Sequence, residues 1–189
     1  MIGIFQQLPT LETERLRLRK VTKNDVKDIF EYASIPEISK YTPWDYHENM
    51  GKTKELVNLL IKNYQTDCES DWAIELKLEK KVIGLCGFVR WHKHHGRIEL
   101  AYSLSPEYWG KGIMTEAVTE VIDFGFKKMK LNRIGAKTMP ENTGSVKLLE
   151  KVGMKQEGHL RDYWMVNGKL EDVLLYSILK GEWELKLSR

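Results

Sequence analysis

Gly110-Lys111-Gly112, set between an alternating apolar segment and a helical one, is the stretch of this sequence best suited to chemistry. A strand that ends in a glycine turn and opens a helix aims several backbone N–H groups and a positive helix end at one point. Gly110, Lys111, Gly112, Ile113, Met114 and Thr115 therefore read as a cradle for a pyrophosphate. By glycine count alone they read rather as an ordinary strand-to-helix turn. The dinucleotide fingerprint needs a third glycine where Thr115 stands, and the nucleotide-triphosphate loop needs Ser or Thr where Gly112 follows Lys111. His92, His94 and His95 crowd one short turn. With no helix to orient them and no carboxylate at a diagnostic spacing, they read as solvated residues and not as metal ligands. Cys68 and Cys86 also lack metal-ligand spacing, and Cys86, in an apolar segment, reads as a buried reduced thiol of a cytoplasmic protein. No metal is expected.

The elements that must position this loop follow from periodicity. Leu100, Tyr102 and Leu104 alternate with Glu99, Ala101 and Ser103, so residues 99–104 form a strand, which Pro106 ends. Beyond the loop, Met114, Ala117, Val118, Val121 and Ile122 recur at helical spacing. Upstream, Leu16 and Leu18 alternate with arginines in a first strand. Thr22 and Asp25 have capping-box spacing and open a helix with Val26, Ile29, Phe30 and Ala33 on one face. A second helix covers residues 48–64, with Leu56, Leu59, Leu60 and Tyr64 inward, and strands 72–78 and 82–91 make a hairpin. Downstream come a strand at 134–139, a helix led by Asn142 and stopped by Gly153, and two strands at 154–165 and 170–179 around an Asn167-Gly168 turn. The pattern is mixed α/β, about seven strands and four helices, in a single domain over residues 1–189.

The 189 residues are 42% hydrophobic and 30% charged, the balance of a folded soluble protein. A net charge of +3, spread along the chain, gives no reason to expect nucleic acid. No signal peptide and no apolar run approaching about 18 residues is present, so neither export nor a membrane span is expected.

Further motifs make the loop specific. Downstream of it come Asn142-Thr143-Gly144-Ser145, then Leu148-Leu149-Glu150-Lys151-Val152-Gly153-Met154, then Glu157-Gly158. With Thr13-Glu14-Arg15-Leu16-x-Leu18-Arg19 at the start and Asp172-Val173-x-x-Tyr176 at the end, the set resembles the GNAT superfamily of acetyl-CoA-dependent N-acetyltransferases, and within it the RimJ/RimL-like branch that acetylates ribosomal-protein N-termini. The likeness covers nearly the whole chain. It implies a splayed mixed sheet whose parallel strands 99–104 and 134–139 separate to admit the pantetheine arm of acetyl-CoA. The backbone of Tyr102, Ser103 and Leu104 would pair with that arm, the N–H groups of residues 110–115 would bind the pyrophosphate, and Asn142 would bond the arm or its surroundings while also serving as a helix N-cap. Trp109 and Met114 depart from the usual loop pattern, and Leu149 stands where many relatives place a tyrosine that protonates the departing thiolate.

The resemblance implies direct attack of an amine on the thioester, with no acyl-enzyme. Ser145 is the candidate acid for the thiolate, against the alternative of a helix-surface serine, and Glu99 is the candidate base, against that of a strand-edge carboxylate. Tyr41, Trp44 and Glu157 are candidate acceptor contacts, core or rim packing being the other reading for the two aromatics. Freeing a lysine amine at pH 7 costs roughly 4.6 kcal/mol and an α-amine only about 1 kcal/mol, so modest catalytic groups favour a protein α-amine as acceptor. A small amine (amino acid, polyamine or aminoglycoside), a catalytically idle acyl-CoA-binding module and a homodimer all stay open.

Overall fold

Leu16 and Leu18, both fully buried, fix the inner face of strand β2 (Leu16–Lys20), and the same alternation builds the sheet outward from it. The computed structural model describes residues 3–188. Its other strands are β1 (Leu11–Glu12), β3 (Asp71–Leu76), β4 (Lys81–His92), β5 (Arg97–Leu104), β6 (Arg133–Thr138), β7 (Lys155–Val166) and β8 (Lys169–Leu179). They form one sheet in the order β1-β2-β3-β4-β5-β6-β8-β7. The helices are α1 (Val26–Ala33), α2 (Met50–Thr66), α3 (Ile113–Lys128), α4 (Thr143–Lys151) and α5 (Lys180–Leu187).

One junction sets the character of the sheet. β5 and β6 are parallel and pair only at Arg97↔Arg133, Ile98↔Ile134 and Glu99↔Gly135. β5 nevertheless stays paired to β4 as far as Leu104, and β6 to β8 as far as Thr138. The two strands therefore diverge beyond Glu99 and open a gap in mid-sheet, as the family resemblance implied.

The faces of the sheet are distinct. Trp72 packs edge-on against Phe88 and against Phe124 of α3, which puts Trp72, its neighbour Cys86 and, next across, Tyr102 on the α3 face. α4 touches α3 on that side. Asp71, Gly87, Ala101 and Ser103 have the opposite parity and face α1 and α2.

The structure adds two elements to the expected count, giving eight strands and five helices among the described residues. β1 is only two residues long, below what alternation can reveal, and α5 has no clean apolar stripe. The one buried side chain of α5 is Trp183, which packs beside Phe126 and donates its indole N–H to Asp123 at 3.1 Å. Leu59 is a correction. It is 53% exposed, because the inner face of α2 runs Thr53, Val57, Leu60 and Tyr64.

The capping box at Thr22 carries more than a helix start. The Asp25 carboxylate accepts from the Thr22 N–H at 2.7 Å and from two Arg19 nitrogens, and Arg19 also reaches Glu75. Burial pushes the Asp25 carboxyl up, but Arg19 and the Thr22 N–H outweigh it and leave the pKa below the usual value. A lowered folded pKa contributes stability that is present above the ordinary carboxylate pKa and lost as pH falls through the folded one. Asp25→Asn is accordingly expected to lower the melting temperature at pH 7 by several degrees, with the gap to wild type narrowing below about pH 4. A gap that stays constant with pH would contradict this.

Candidate functional site

Gly110 and Gly112 hold φ of +72° and +74°, the left-handed region that L side chains rarely adopt. Gly112 is the N-cap of the sixteen-residue α3, and the first helical bond there runs from the Glu116 N–H to the Gly112 carbonyl. The N–H groups of Ile113, Met114 and Thr115 thus have no partner within the helix. A Cβ added at Gly110 would meet nothing within 4 Å, so the loop is open on that side.

The opening Thr13-x-Arg15 motif acquires a physical role here. Glu116, in the first turn of α3, accepts from the Thr13 hydroxyl, the Arg15 N–H at 2.9 Å and the Arg15 guanidinium at 2.7 Å, while Arg15 also bonds the Lys111 carbonyl at 3.0 Å. The β1–β2 turn braces the glycine loop through these bonds. Burial raises the Glu116 pKa, but Thr13 and Arg15 outweigh it and keep it low. The carboxylate thus stays charged and holds the brace.

Backbone alternation decides which β5 groups face the gap. The Ser105 N–H bonds Ile83 of β4, so odd-numbered residues of β5 turn their backbone groups to β4. Leu100, Tyr102 and Leu104 turn theirs to the gap, and Ser103 turns its own to Leu85. The Leu104 carbonyl already accepts the Trp109 indole N–H at 2.7 Å. Trp109, which departs from the usual loop pattern, therefore ties the end of β5 to the loop.

Across the gap, Asn142 caps α4 by accepting the Ser145 N–H on its side-chain oxygen at 3.1 Å. The Ser145 hydroxyl lies 2.6 Å from the Tyr102 hydroxyl, so one oxygen pair links β5 to the first turn of α4. Burial raises the Tyr102 pKa, which keeps the phenol protonated. Leu149 is fully buried in the core and has no polar role. The family pattern gives Tyr102 only a backbone role, and its side chain enters through the fold. Its alternation with Leu100 and Leu104, toward the helix that carries Ser145, was the available signal.

Glu99 occupies the fork where β5 and β6 part. It is ion-paired to Lys137 at 2.8 Å and to Arg90 at 2.7 Å. Burial raises its pKa, but the two cations outweigh burial and hold it low. Glu157 is paired with the Arg133 guanidinium through both oxygens, which brings its pKa down to about 2. Tyr41 and Trp44 lie in the connection between α1 and α2, Tyr41 half-buried under the Lys40 ammonium and Trp44 exposed. Among the described residues no group of three His, Cys, Asp or Glu could hold a metal, and no helix is long and apolar enough to cross a membrane.

A family model described as "Acetyltransferase (GNAT) domain" matches residues 15–155, well over half of the chain. The chain belongs to the GNAT acetyltransferases. It is similar to an N-acetyltransferase, p20, of Bacillus licheniformis, with 39% identity over 93% of this chain and 99% of that protein. Among solved structures it resembles the ribosomal-protein-S5-alanine acetyltransferase of Vibrio fischeri, with TM-score 0.80, 28% identity and coverage of 93% of this chain and 98% of that one. It also resembles a Vibrio cholerae spermidine N-acetyltransferase in complex with CoA and spermine, with TM-score 0.79, 26% identity and coverage of 91% of this chain and 99% of that one. As a GNAT enzyme it is an acetyl-CoA-dependent N-acetyltransferase. The splayed strands and open glycine loop fit that donor, since one offers free amide groups to an extended chain and the other offers N–H groups to phosphates.

Proposed function

We propose that this enzyme acetylates the α-amine of a protein N-terminus by direct attack on acetyl-CoA, the whole chain acting as one cytoplasmic domain. Tyr102 and Leu104 hold the donor's amide arm, Gly110 to Thr115 hold its pyrophosphate, and the Asn142 amide nitrogen is free to bond the arm. A backbone N–H of β5 at the gap takes the thioester oxygen. The Ser145 hydroxyl, backed by Tyr102, stabilises the departing thiolate. A thiol pKa of about 8.5 makes that a modest demand. Neither cysteine supports an acyl-enzyme, since burial pushes the Cys86 thiol well up and Cys68 is exposed with no base partner among the described residues.

The observation that carries the choice of acceptor is the state of the carboxylates. Glu99 and Glu157 are both neutralised by their own cations, so neither is left to draw in a polycation. A singly charged α-amine suits such a site better than a polyamine. The spermidine acetyltransferase relationship makes the polyamine the second reading. Thiol release from acetyl-CoA, measured with alanine- and serine-initiated peptides and with spermidine, separates the two. Faster release with peptides is expected, and release with spermidine alone would reverse the assignment.

A further inference from the structure

Asp71 opens β3 on the α1/α2 face of the sheet and lies across Gly87 of β4. A Cβ added at Gly87 would fall 2.4 Å from the Asp71 Cα and 2.5 Å from its Oδ1. Glycine is therefore required there, and the carboxylate sits where a side chain of β4 would otherwise stand. Gly87 pairs in turn with Ala101 of β5, whose neighbours Leu100 and Tyr102 face the gap. Asp71, Gly87 and Ala101 thus form one row across the sheet, with almost no side chain between the carboxylate and the strand that borders the gap. The carboxylate is then about one strand spacing, near 5 Å, from β5 and about two from the middle of the gap beyond it, a distance that two waters in file span.

The groups around Asp71 are polar and uncharged. From α1 comes the Tyr32 hydroxyl, buried beside Ser103 and without a well-formed hydrogen bond among the described residues. From α2 comes Tyr64, whose hydroxyl donates to the Asp71 carbonyl at 2.5 Å and whose pKa is pushed up to about 12, mainly by burial. β5 adds Ser103, beside the Tyr32 hydroxyl. Among the described residues no cation answers the carboxylate. Burial alone acts on it and raises its pKa to about 7. Glu99, on the same face, is the opposite case, held ionised by Lys137 and Arg90 and so a weak proton acceptor.

We infer that Asp71, through a file of two waters, is the base of the reaction, with the Ser103 hydroxyl, backed by the buried Tyr32 phenol, orienting the incoming ammonium. This rests on the amine-transfer reading above. The ammonium gives one proton to the Asp71 carboxylate, which passes it to solvent. The nitrogen lone pair then forms the N–C bond, the C–S bond breaks with its electron pair on sulfur, and the second nitrogen proton ends on that thiolate. Glu99 in this scheme holds Lys137 and Arg90 at the fork and takes no proton.

The test is the pH dependence of kcat/KM with acetyl-CoA and an alanine-initiated peptide. Wild type is expected to show a rising limb centred near pH 7. In Asp71→Asn that limb should disappear, leaving the one set by the peptide's own amine near about 7.8. Activity at pH 7 should fall at least tenfold, with acetyl-CoA affinity and melting temperature close to wild type, and Asp71→Glu should restore part of the rate. Glu99→Gln should keep the limb. An Asp71→Asn protein with the same limb and a rate within threefold of wild type overturns the inference. A wild type inert toward both peptide and spermidine would sink the amine-transfer reading instead. Asp71 is then judged by the 13C titration of its carboxyl in the wild-type protein, where a midpoint near 4 overturns the assignment.

Discussion

Gly112→Val is expected to weaken acetyl-CoA binding at least hundredfold. At φ +74° the left-handed conformation costs an L residue roughly 1–2 kcal/mol, and a β-branched residue more. The loop relieves that strain by rotating, which turns the N–H groups at the start of α3 away from the pyrophosphate. Each hydrogen bond to a charged group is worth about 1.5–3 kcal/mol, so losing two of them passes hundredfold in affinity. Gly110→Ala gives the contrast. Its φ is +72°, but an added Cβ meets nothing, so only the backbone cost remains and the loss should stay near tenfold or below. Calorimetric titration with acetyl-CoA measures both. Binding by Gly112→Val within fivefold of wild type would take the pyrophosphate away from this loop.

The brace behind that loop marks the limit of what the sequence displays. Strand, turn and helix around Gly110 and Gly112 are local features, encoded in alternation, glycine and helical spacing, and they were legible. So was the divergence of β5 from β6, though only through family likeness, since pairing between segments some thirty residues apart leaves no local trace. The Arg15–Glu116 brace joins residues a hundred positions apart, and nothing in either neighbourhood announces it. Glu99 shows a different loss. Its place on the strand was right, yet its character as a base depends on Lys137 and Arg90, which approach through the fork and through the irregular end of β4. Asp71 fails from the other direction. An aspartate at the head of a strand looks like a surface residue, and only the folded sheet, with Gly87 beneath it and no cation near among the described residues, makes it unusual. Charge state is a tertiary property, so catalytic residues are the last thing a sequence gives up.

Ser145→Ala is expected to lower kcat about hundredfold while leaving acetyl-CoA affinity unchanged, because the hydroxyl meets its demand only as charge develops on sulfur. Tyr102 matters through the same atom. Its phenol stays neutral because burial raises its pKa, so it can donate to the Ser145 oxygen and leave the serine's own hydrogen directed at the thiolate. Tyr102→Phe should therefore cost about tenfold in the wild-type background and almost nothing once Ser145 is alanine. A double-mutant cycle reads this coupling directly. Two independent roles would multiply instead, giving a double variant about a thousandfold slower than wild type, and that outcome would break the pair apart. The leaving group supplies a second check. If the hydroxyls serve the thiolate, an acetyl thioester of a more acidic thiol needs them less, and the Ser145→Ala defect should shrink as leaving-group pKa falls. A defect of constant size across such a series would mean that Ser145 positions the donor, and that the thiolate leaves without help from this pair.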